Sequence, residues 1–171
     1  MTPRAVVLVE GESDRIAVET LALRRGRDLA VEGVAVLAVG GAQAIERAVR
    51  SLSDVRVAGL YDVAEERAVL RGLARAGLGA ELFFACDPDL EGELVRALGP
   101  ERMLELVEAR GQLPAFTTYR KQPAQRVKPL EAQLHGWLHN WKIRYAAPLV
   151  EALDLARVPP PLDAVLAAIT R

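Results

Sequence analysis

The stretch VVLVEGESD, residues 6–14, sets the fold at the start of the chain. Four apolar residues run into Glu10, the chain turns at Gly11, and two further acids follow before an amphipathic segment begins. This order predicts a buried strand over 5–10, a turn on glycine, and a helix over 13–26 that Ser13 caps and Gly26 ends. The sequence thus predicts one strand–helix unit that holds a carboxylate at the edge of a sheet.

The same strand–helix pattern recurs three more times along the chain. Apolar runs at GVAVLAVGG (33–41), VRVAGLYD (55–62) and AELFFACD (80–87) are each followed by a helical pattern. Nearly continuous apolar strands that alternate with helices are typical of a parallel sheet covered on both faces. We therefore predict an α/β fold with a four-stranded, mainly parallel sheet. A single domain, 1–171, would combine this core, 5–98, with a C-terminal helical extension, 99–171.

Composition excludes several classes of protein. The 171 residues carry 22 basic and 23 acidic side chains, so the chain is not a polycationic sheath for nucleic acid, although a local basic groove remains possible. No apolar stretch approaches the roughly 20 residues that cross a bilayer. The single cysteine, Cys86, cannot form an internal disulfide, and the first residues do not resemble a secretory signal. We therefore expect a cytoplasmic protein that is not integral to a membrane.

Acidic residues collect where the predicted strands end. Ligands of open parallel sheets bind beyond these carboxyl ends. Oxygen ligands without paired His or Cys suit a hard cation, so the pattern predicts an Mg²⁺ or Mn²⁺ site. The simpler alternative is that acids in the first turns merely cap helices, where the helix dipole favours them. The predicted metal ligands are Glu10, Asp14, Asp62, Asp87, Asp89 and Glu91.

Three motifs together resemble a known family. The TOPRIM fold of topoisomerases, bacterial primases and OLD (overcoming lysogenization defect) nucleases has elements similar to VVLVEGESDRIAVETLA, GLYD and CDPDLEGEL. The DLE element is most similar to the OLD nucleases. The resemblance implies that Glu10 acts as a general acid/base or metal ligand near Asp14, and that Asp62, Asp89 and Glu91 bind metal. The later WKIRYAAPLVEAL (141–153) resembles the OLD element that supplies an active-site lysine, here Lys142.

The chain departs from the family pattern in two respects. TOPRIM domains usually have Asp-x-Asp after the third strand, whereas here Asp62 is followed by Val63 and Ala64, so one metal is expected to bind weakly. OLD nucleases also usually carry an ATPase domain before the TOPRIM part, whereas this chain starts almost on its first strand. A stand-alone TOPRIM domain, or one that works with a separate ATPase subunit, is therefore expected.

A basic segment and two histidines are further candidates. YRKQPAQRVKP (119–129) contains Arg120, Lys121, Arg126 and Lys128 without an acid, beside Phe116 and Tyr119, which could stack on bases. An ordinary solvated loop is the alternative. His135 and His139 have the spacing of a helical metal pair, but the flanking tryptophans favour packing instead.

These features predict a divalent-metal-dependent DNA endonuclease or nickase. The alternative is a nucleic-acid-binding or assembly module that keeps the fold and has lost full metal binding, as Ala64 suggests. A receiver-like phosphoryl-transfer domain would also crowd acids at strand ends, but it needs a lysine that ends a late strand, and Lys142 lies in a helical segment.

Overall fold

The computed structural model describes residues 2–170. The four strands are β1 (Ala5–Val9), β2 (Val34–Ala38), β3 (Arg56–Asp62) and β4 (Phe83–Cys86). The helices are α1 (Glu12–Arg24), α2 (Ile45–Arg50), α3 (Glu66–Ala76), α4 (Leu90–Ala109), α5 (Leu113–Arg120), α6 (Pro123–Arg126), α7 (Leu130–Leu138), α8 (Lys142–Ala152) and α9 (Pro160–Ala168). Short 3-10 helices lie at Ala42–Ala44, Val63–Glu65 and Leu155–Arg157.

The sheet is parallel throughout, in the strand order β2-β1-β3-β4. Val7 of β1 pairs with Val36 on one side and with Ala58 on the other. β2 therefore lies on one side of β1, and β3 and β4 lie on the opposite side. The predicted α/β class is confirmed, and the reversal places a crevice between the carboxyl ends of β1 and β3.

Each face of the sheet has its own apolar core. Ala5, Val7 and Val9 of β1 pack with α1, α4 and the C-terminal helices, whereas Val6 and Leu8 pack with α2 and α3. This alternation follows from the two-residue period of a strand, and all five β1 residues are fully buried. β1 is thus covered on both faces, as its continuous apolar run predicts.

Helix α1 begins one residue earlier than predicted, and its cap differs. Gly11 is the N-cap, and the Asp14 carboxylate accepts the Gly11 N–H at 2.9 Å. The expectation that Ser13 caps this helix is wrong, because Ser13 already lies inside the first turn. The structure instead places Asp14 close to Glu10 at the end of β1.

The C-terminal helices complete the core and do not form a separate layer. Helix α4 runs across the predicted boundary at 98/99, with a kink where Gly99 adopts φ 77° before Pro100. Helix α9 packs on β3 and β4, and Leu162 and Val165 are fully buried in the same core as β1. No helix among residues 2–170 is long and apolar enough to span a membrane.

The stretch LEAQLHGWLHNWKIRYAAPLVEAL, residues 130–153, has a helical pattern that predicts one helix, but it forms two. Helix α7 ends at Leu138, and α8 begins at Lys142 after a short turn. The far end of α8 is fixed to α1, because Arg24 Nη1 donates to the carbonyl oxygens of Val150 and Leu153, each at 2.8 Å. The break therefore sets Lys142 at the first turn of a helix that is anchored at its other end.

Candidate active site

The crevice between β1 and β3 holds two carboxylates at adjacent strand ends. Glu10 follows β1, Asp62 ends β3, and the Glu10 carboxylate accepts the Asp62 N–H at 3.1 Å. Burial is the largest influence on Glu10 and raises its pKa, and the nearby Glu65 adds to this effect. The first and third strands therefore bring Glu10 and Asp62 together, as their positions in the sequence predict.

The charge environment of Asp62 shows how densely acids crowd this edge. Burial and, after it, the negative charges of Glu10, Asp14 and Asp89 together raise the pKa of Asp62 to about 7, against the field of Lys142. A carboxyl group with such a pKa lacks enough positive charge around it to stay ionised readily. The edge can therefore stabilise an additional cation.

Asp14 experiences the same crowding from the side of α1. Burial raises its pKa to about 6 despite the hydrogen bond from Gly11, and the charges of Glu91 and Glu10 act in the same direction. Asp14 thus caps its helix and also belongs electrostatically to the cluster, so the two interpretations of this residue are compatible. We refer to Glu10, Asp14, Asp62, Asp89 and Glu91 as the acidic cluster.

Lys142 reaches into the acidic cluster from the start of α8. Its ammonium group lies 2.9 Å from Glu91 Oε2 and 4.0 Å from Asp89 Oδ2. Burial disfavours the charge of Lys142, but the hydrogen bond to Glu91 and the fields of the acids outweigh it and raise the pKa of the lysine. Glu91 is only 5% exposed, so Lys142 is the partner that makes its burial tolerable.

His135 contacts the acidic cluster, whereas the sequence analysis considers it only for a metal pair with His139 or for packing. Its Nε2 lies 2.8 Å and 3.0 Å from the two Asp89 oxygens, and Asp89 also accepts the Gly92 N–H at 2.8 Å as the N-cap of α4. The bond to Asp89 raises the pKa of His135. Burial favours the neutral form of Asp89, but the bonds from His135 and Gly92 outweigh it and lower the pKa of that carboxyl.

A shared metal site for His135 and His139 does not form. His135 is bonded to Asp89, whereas His139 follows the last residue of α7 and is exposed. Only the contact between α7 and α4 directs His135 toward Asp89. Spacing along the chain contains no signal for such a contact.

The acidic cluster suits a hard divalent cation by its chemistry. Its donors are all carboxylate oxygens, and the pKa values of Asp14 and Asp62 are raised first by burial and then by the negative charges beside them. Within residues 2–170, no three His, Cys, Asp or Glu side chains stand ready-grouped around one ion position. Four donors are instead engaged within the protein: Glu10 with the Asp62 amide, Asp14 with the Gly11 amide, Glu91 with Lys142, and Asp89 with His135.

Asp87 differs from the other predicted ligands. It is exposed, and its main chain is held by the Glu93 carboxylate at 3.1 Å and by Arg96 at 2.8 Å. Asp87 is not among the groups that most strongly shift the pKa values of Asp14 and Asp62. The structure therefore does not bring this carboxylate into the acidic cluster.

Glu65 is an acid that the sequence pattern does not single out. It lies in the 3-10 turn that follows Asp62, and its charge raises the pKa of Glu10. Ala64, where the TOPRIM pattern has its second aspartate, is exposed on the same turn. The turn thus supplies a carboxylate one position later, which a search for Asp-x-Asp does not detect.

The basic segment forms a pocket, but without the predicted stacking aromatics. Arg120, Lys121 and Arg126 line a surface pocket of about 430 Å³ together with Thr117 and Gln133. Lys128 is exposed two residues after Arg126.

The aromatic side chains beside this pocket belong to the core. Phe116 is fully buried, so the expectation that it stacks on bases is wrong. Tyr119 packs edge-on against Trp137, with ring centroids 5.5 Å apart. Both rings therefore stabilise the packing of α5 on α7.

Comparison with known proteins agrees with this geometry. Residues 3–61 match the family model of the overcoming lysogenization defect (OLD) protein-like TOPRIM domain. The chain has an OLD-like TOPRIM fold. The matched segment covers β1 to β3 and includes Glu10 and Asp14, whereas Asp62 and the α4 acids follow it. No curated protein sequence matches the chain.

Two solved structures share the fold over nearly their whole length. The C-terminal region of the Xanthomonas campestris pv. campestris OLD protein is 23% identical, with a TM-score of 0.74 over 98% of this chain and 92% of that one. The C-terminal region of the Burkholderia pseudomallei OLD protein is 18% identical, with a TM-score of 0.74 over 99% and 98%. The likeness extends through α9, so the C-terminal helices belong to the shared fold.

The raised pKa of Asp62 predicts a pH-dependent gain in stability for Asp62→Asn. Between about pH 4 and pH 7 the folded protein binds more protons at this site than the unfolded chain, so the free energy of unfolding falls as the pH rises. The side-chain amide of the Asp62→Asn variant does not titrate, so the variant does not lose this free energy of unfolding as the pH rises. We expect a gain of about 1–2 kcal/mol at pH 8, discounted for partial exposure, and a smaller gain at pH 5.

Urea denaturation in metal-free buffer at both pH values measures this gain. Asp54→Asn is the matched control, because Asp54 is exposed near the opposite end of β3 and its φ of 54° is one that asparagine adopts readily. An equal gain for Asp62→Asn at pH 5 and pH 8 would contradict the assigned electrostatics.

Proposed function

We propose that this protein is a divalent-metal-dependent DNA endonuclease or nickase that hydrolyses phosphodiester bonds. The convergence of the acidic cluster and Lys142 at the crevice between β1 and β3 is the observation that carries the proposal. Carboxylates can hold metal ions, and an adjacent ammonium can bind the anion on which those ions act. The likeness to OLD C-terminal regions supports the same function.

In this proposal the acidic cluster holds Mg²⁺ or Mn²⁺. Bound metal would supply positive charge that stabilises the phosphate during hydrolysis. Glu10, with its raised pKa, is suited to hold or accept a proton at its carboxylate. Lys142 provides a point charge for a non-bridging phosphate oxygen, while His135 keeps the Asp89 carboxylate in a fixed orientation.

The pocket of the basic segment is the proposed contact for the DNA backbone. Arg120 Nε donates to Gln133 Oε1 at 2.6 Å, which fixes the guanidinium at the pocket wall next to Lys121 and Arg126. Ordered cationic groups of this kind position phosphates without selecting a sequence. Lys128 extends the same exposed stretch.

An ATPase is the protein partner that the OLD resemblance implies.

Incubation of the purified protein with supercoiled plasmid tests the proposed function. Nicked or linear product should form with Mg²⁺ or Mn²⁺, and should be absent with EDTA and with the Glu10→Ala variant. Plasmid that is bound but never cut by the wild-type protein would instead favour a non-catalytic binding module.

Glu65 is expected to contribute to metal affinity where Ala64 cannot. Its charge reaches Glu10, so Glu65→Gln should weaken Mn²⁺ binding about three- to tenfold in calorimetric titration. Glu66→Gln is the matched control, since the Glu66 carboxylate accepts the Tyr61 hydroxyl at 3.3 Å. Equal affinity in the two variants would mean that Glu65 has no part in the site.

A further inference from the structure

A second pocket opens beside Lys142. It encloses about 580 Å³ between the start of α1 and the segment that joins α7 to α8, within the roughly 300–1,000 Å³ usual for ligand pockets. Lys142 lines this pocket and also bonds Glu91, so pocket and cluster share one residue. The other lining residues include Glu12, Ser13, Asn140, Trp141 and Arg144.

The walls combine planar, cationic and hydrogen-bonding groups. The guanidinium of Arg144 lies 5.7 Å from the centroid of the Trp141 ring. Ile143 adds an apolar side chain that is 62% exposed, and the exposed Asn140 offers an amide. Planar side chains next to a hydrogen-bonding amide are the groups with which proteins bind unpaired bases.

Trp141 is held in place by the core behind it. Its ring lies 5.9 Å from that of Trp137, which is itself only 7% exposed and packs on Phe116 and Tyr119. A ring fixed in this way loses little conformational entropy when a ligand stacks on it. The aromatic part of the pocket is therefore preorganised.

Charge decides which part of a nucleotide fits where. Glu12 stands at one wall of the pocket and disfavours a phosphate there, even though Arg15 pairs with it. The ammonium of Lys142 favours a phosphate at the rim of the acidic cluster. A base in the pocket and its phosphate at Lys142 satisfy both preferences.

We propose that this pocket is a nucleobase subsite for an unpaired nucleotide adjacent to the scissile phosphate. The proposal rests on the proposed function for the identity of the substrate. It implies that the protein engages a locally unpaired strand, because a base inside a duplex cannot enter a pocket lined by Trp141.

Tryptophan fluorescence tests the subsite directly, since Trp137 and Trp141 are the two tryptophans of the sequence. A single-stranded oligodeoxynucleotide is titrated with Mg²⁺ into the Asp62→Asn protein, which is expected not to cleave it. We expect stacking on Trp141 to quench the emission. Trp141→Phe in the same background should remove most of this quenching, whereas Trp137→Phe, the matched control, should retain it.

Affinity provides a second measurement that does not depend on fluorescence. Trp141→Ala should weaken oligonucleotide binding about tenfold, the scale of one base–aromatic stack, and Trp141→Phe should weaken it less. An oligomer of the same length made of abasic sugar phosphates should bind the Asp62→Asn protein more weakly and without quenching. Thermal unfolding of each variant shows that the fold is retained.

The outcomes separate this subsite from the nuclease function. Equal binding of the abasic and normal oligonucleotides, without quenching, would overturn the subsite, even if the wild-type protein cuts plasmid. Base-dependent quenching that Trp141→Phe abolishes would support the subsite, even if the wild-type protein cuts nothing with either metal. Absence of any oligonucleotide binding would also overturn the subsite, whereas the nuclease function is decided by the plasmid assay with the wild-type protein.

Discussion

Glu10→Gln and Asp62→Asn are each expected to lower metal-dependent plasmid cleavage by at least about a thousandfold. The two carboxylates occupy the ends of β1 and β3, and the Glu10 carboxylate accepts the Asp62 N–H, so both stand at the centre of the acidic cluster. Each substitution removes one negative charge and one ligand oxygen from the position where the cation is proposed to bind. Initial rates of plasmid nicking at saturating Mn²⁺ measure the loss.

The same variants are expected to fold as well as the wild-type protein or better. Burial raises the pKa of both carboxyls, so neutral amides relieve an unfavourable charge. Asp54→Asn, at the other end of β3, should retain full cleavage and thereby separates loss of the site from a general effect of the substitution. Unchanged nicking in both Glu10→Gln and Asp62→Asn would refute the nuclease function.

The sheet and its acidic edge could be predicted because both depend on local patterns. An apolar run as continuous as AVVLV, residues 5–9, is stable only when it is buried on both faces, which requires helices on both sides of a parallel sheet. Parallel strands then bring their carboxyl ends to one edge, so the positions of Glu10 and Asp62 follow from the order of elements. This part of the site needs no knowledge of tertiary contacts.

The remaining parts depend on contacts between helices that are distant in sequence. His135 meets Asp89 only because α7 packs on α4, and Phe116 is buried only because α5 packs on α7. The turn before Lys142, residues 139–141, contains neither glycine nor proline, and the glycine of this stretch, Gly136, lies inside α7 and not at the turn. The role of Glu65 likewise depends on the path of a single 3-10 turn.

Lys142→Ala is expected to lower the single-turnover cleavage rate by about a hundredfold, the scale of one electrostatic stabiliser. The ammonium lies 2.9 Å from Glu91 at the rim of the acidic cluster, where the substrate phosphate is proposed to bind. Lys142→Arg keeps the charge, but its planar guanidinium replaces a compact point charge, so we expect only partial recovery of the rate. Rates are compared at saturating Mn²⁺, which excludes differences in metal occupancy.

Metal binding should respond to Lys142→Ala in the opposite direction from catalysis. Lys142 neutralises Glu91 in the absence of metal, so its removal leaves a carboxylate that is 5% exposed without its cation. Without metal, the melting temperature of Lys142→Ala should therefore fall below that of the wild-type protein. Added Mn²⁺ should raise the melting temperature of the variant by more than it raises that of the wild type. Calorimetric affinity for Mn²⁺ should be equal or tighter, because the cation no longer competes with the ammonium for Glu91. A single-turnover rate near that of the wild type would refute the catalytic role of Lys142 without affecting the proposed metal site. Weaker Mn²⁺ binding by Lys142→Ala would show that Lys142 supports the ligands and does not compete with the cation for them.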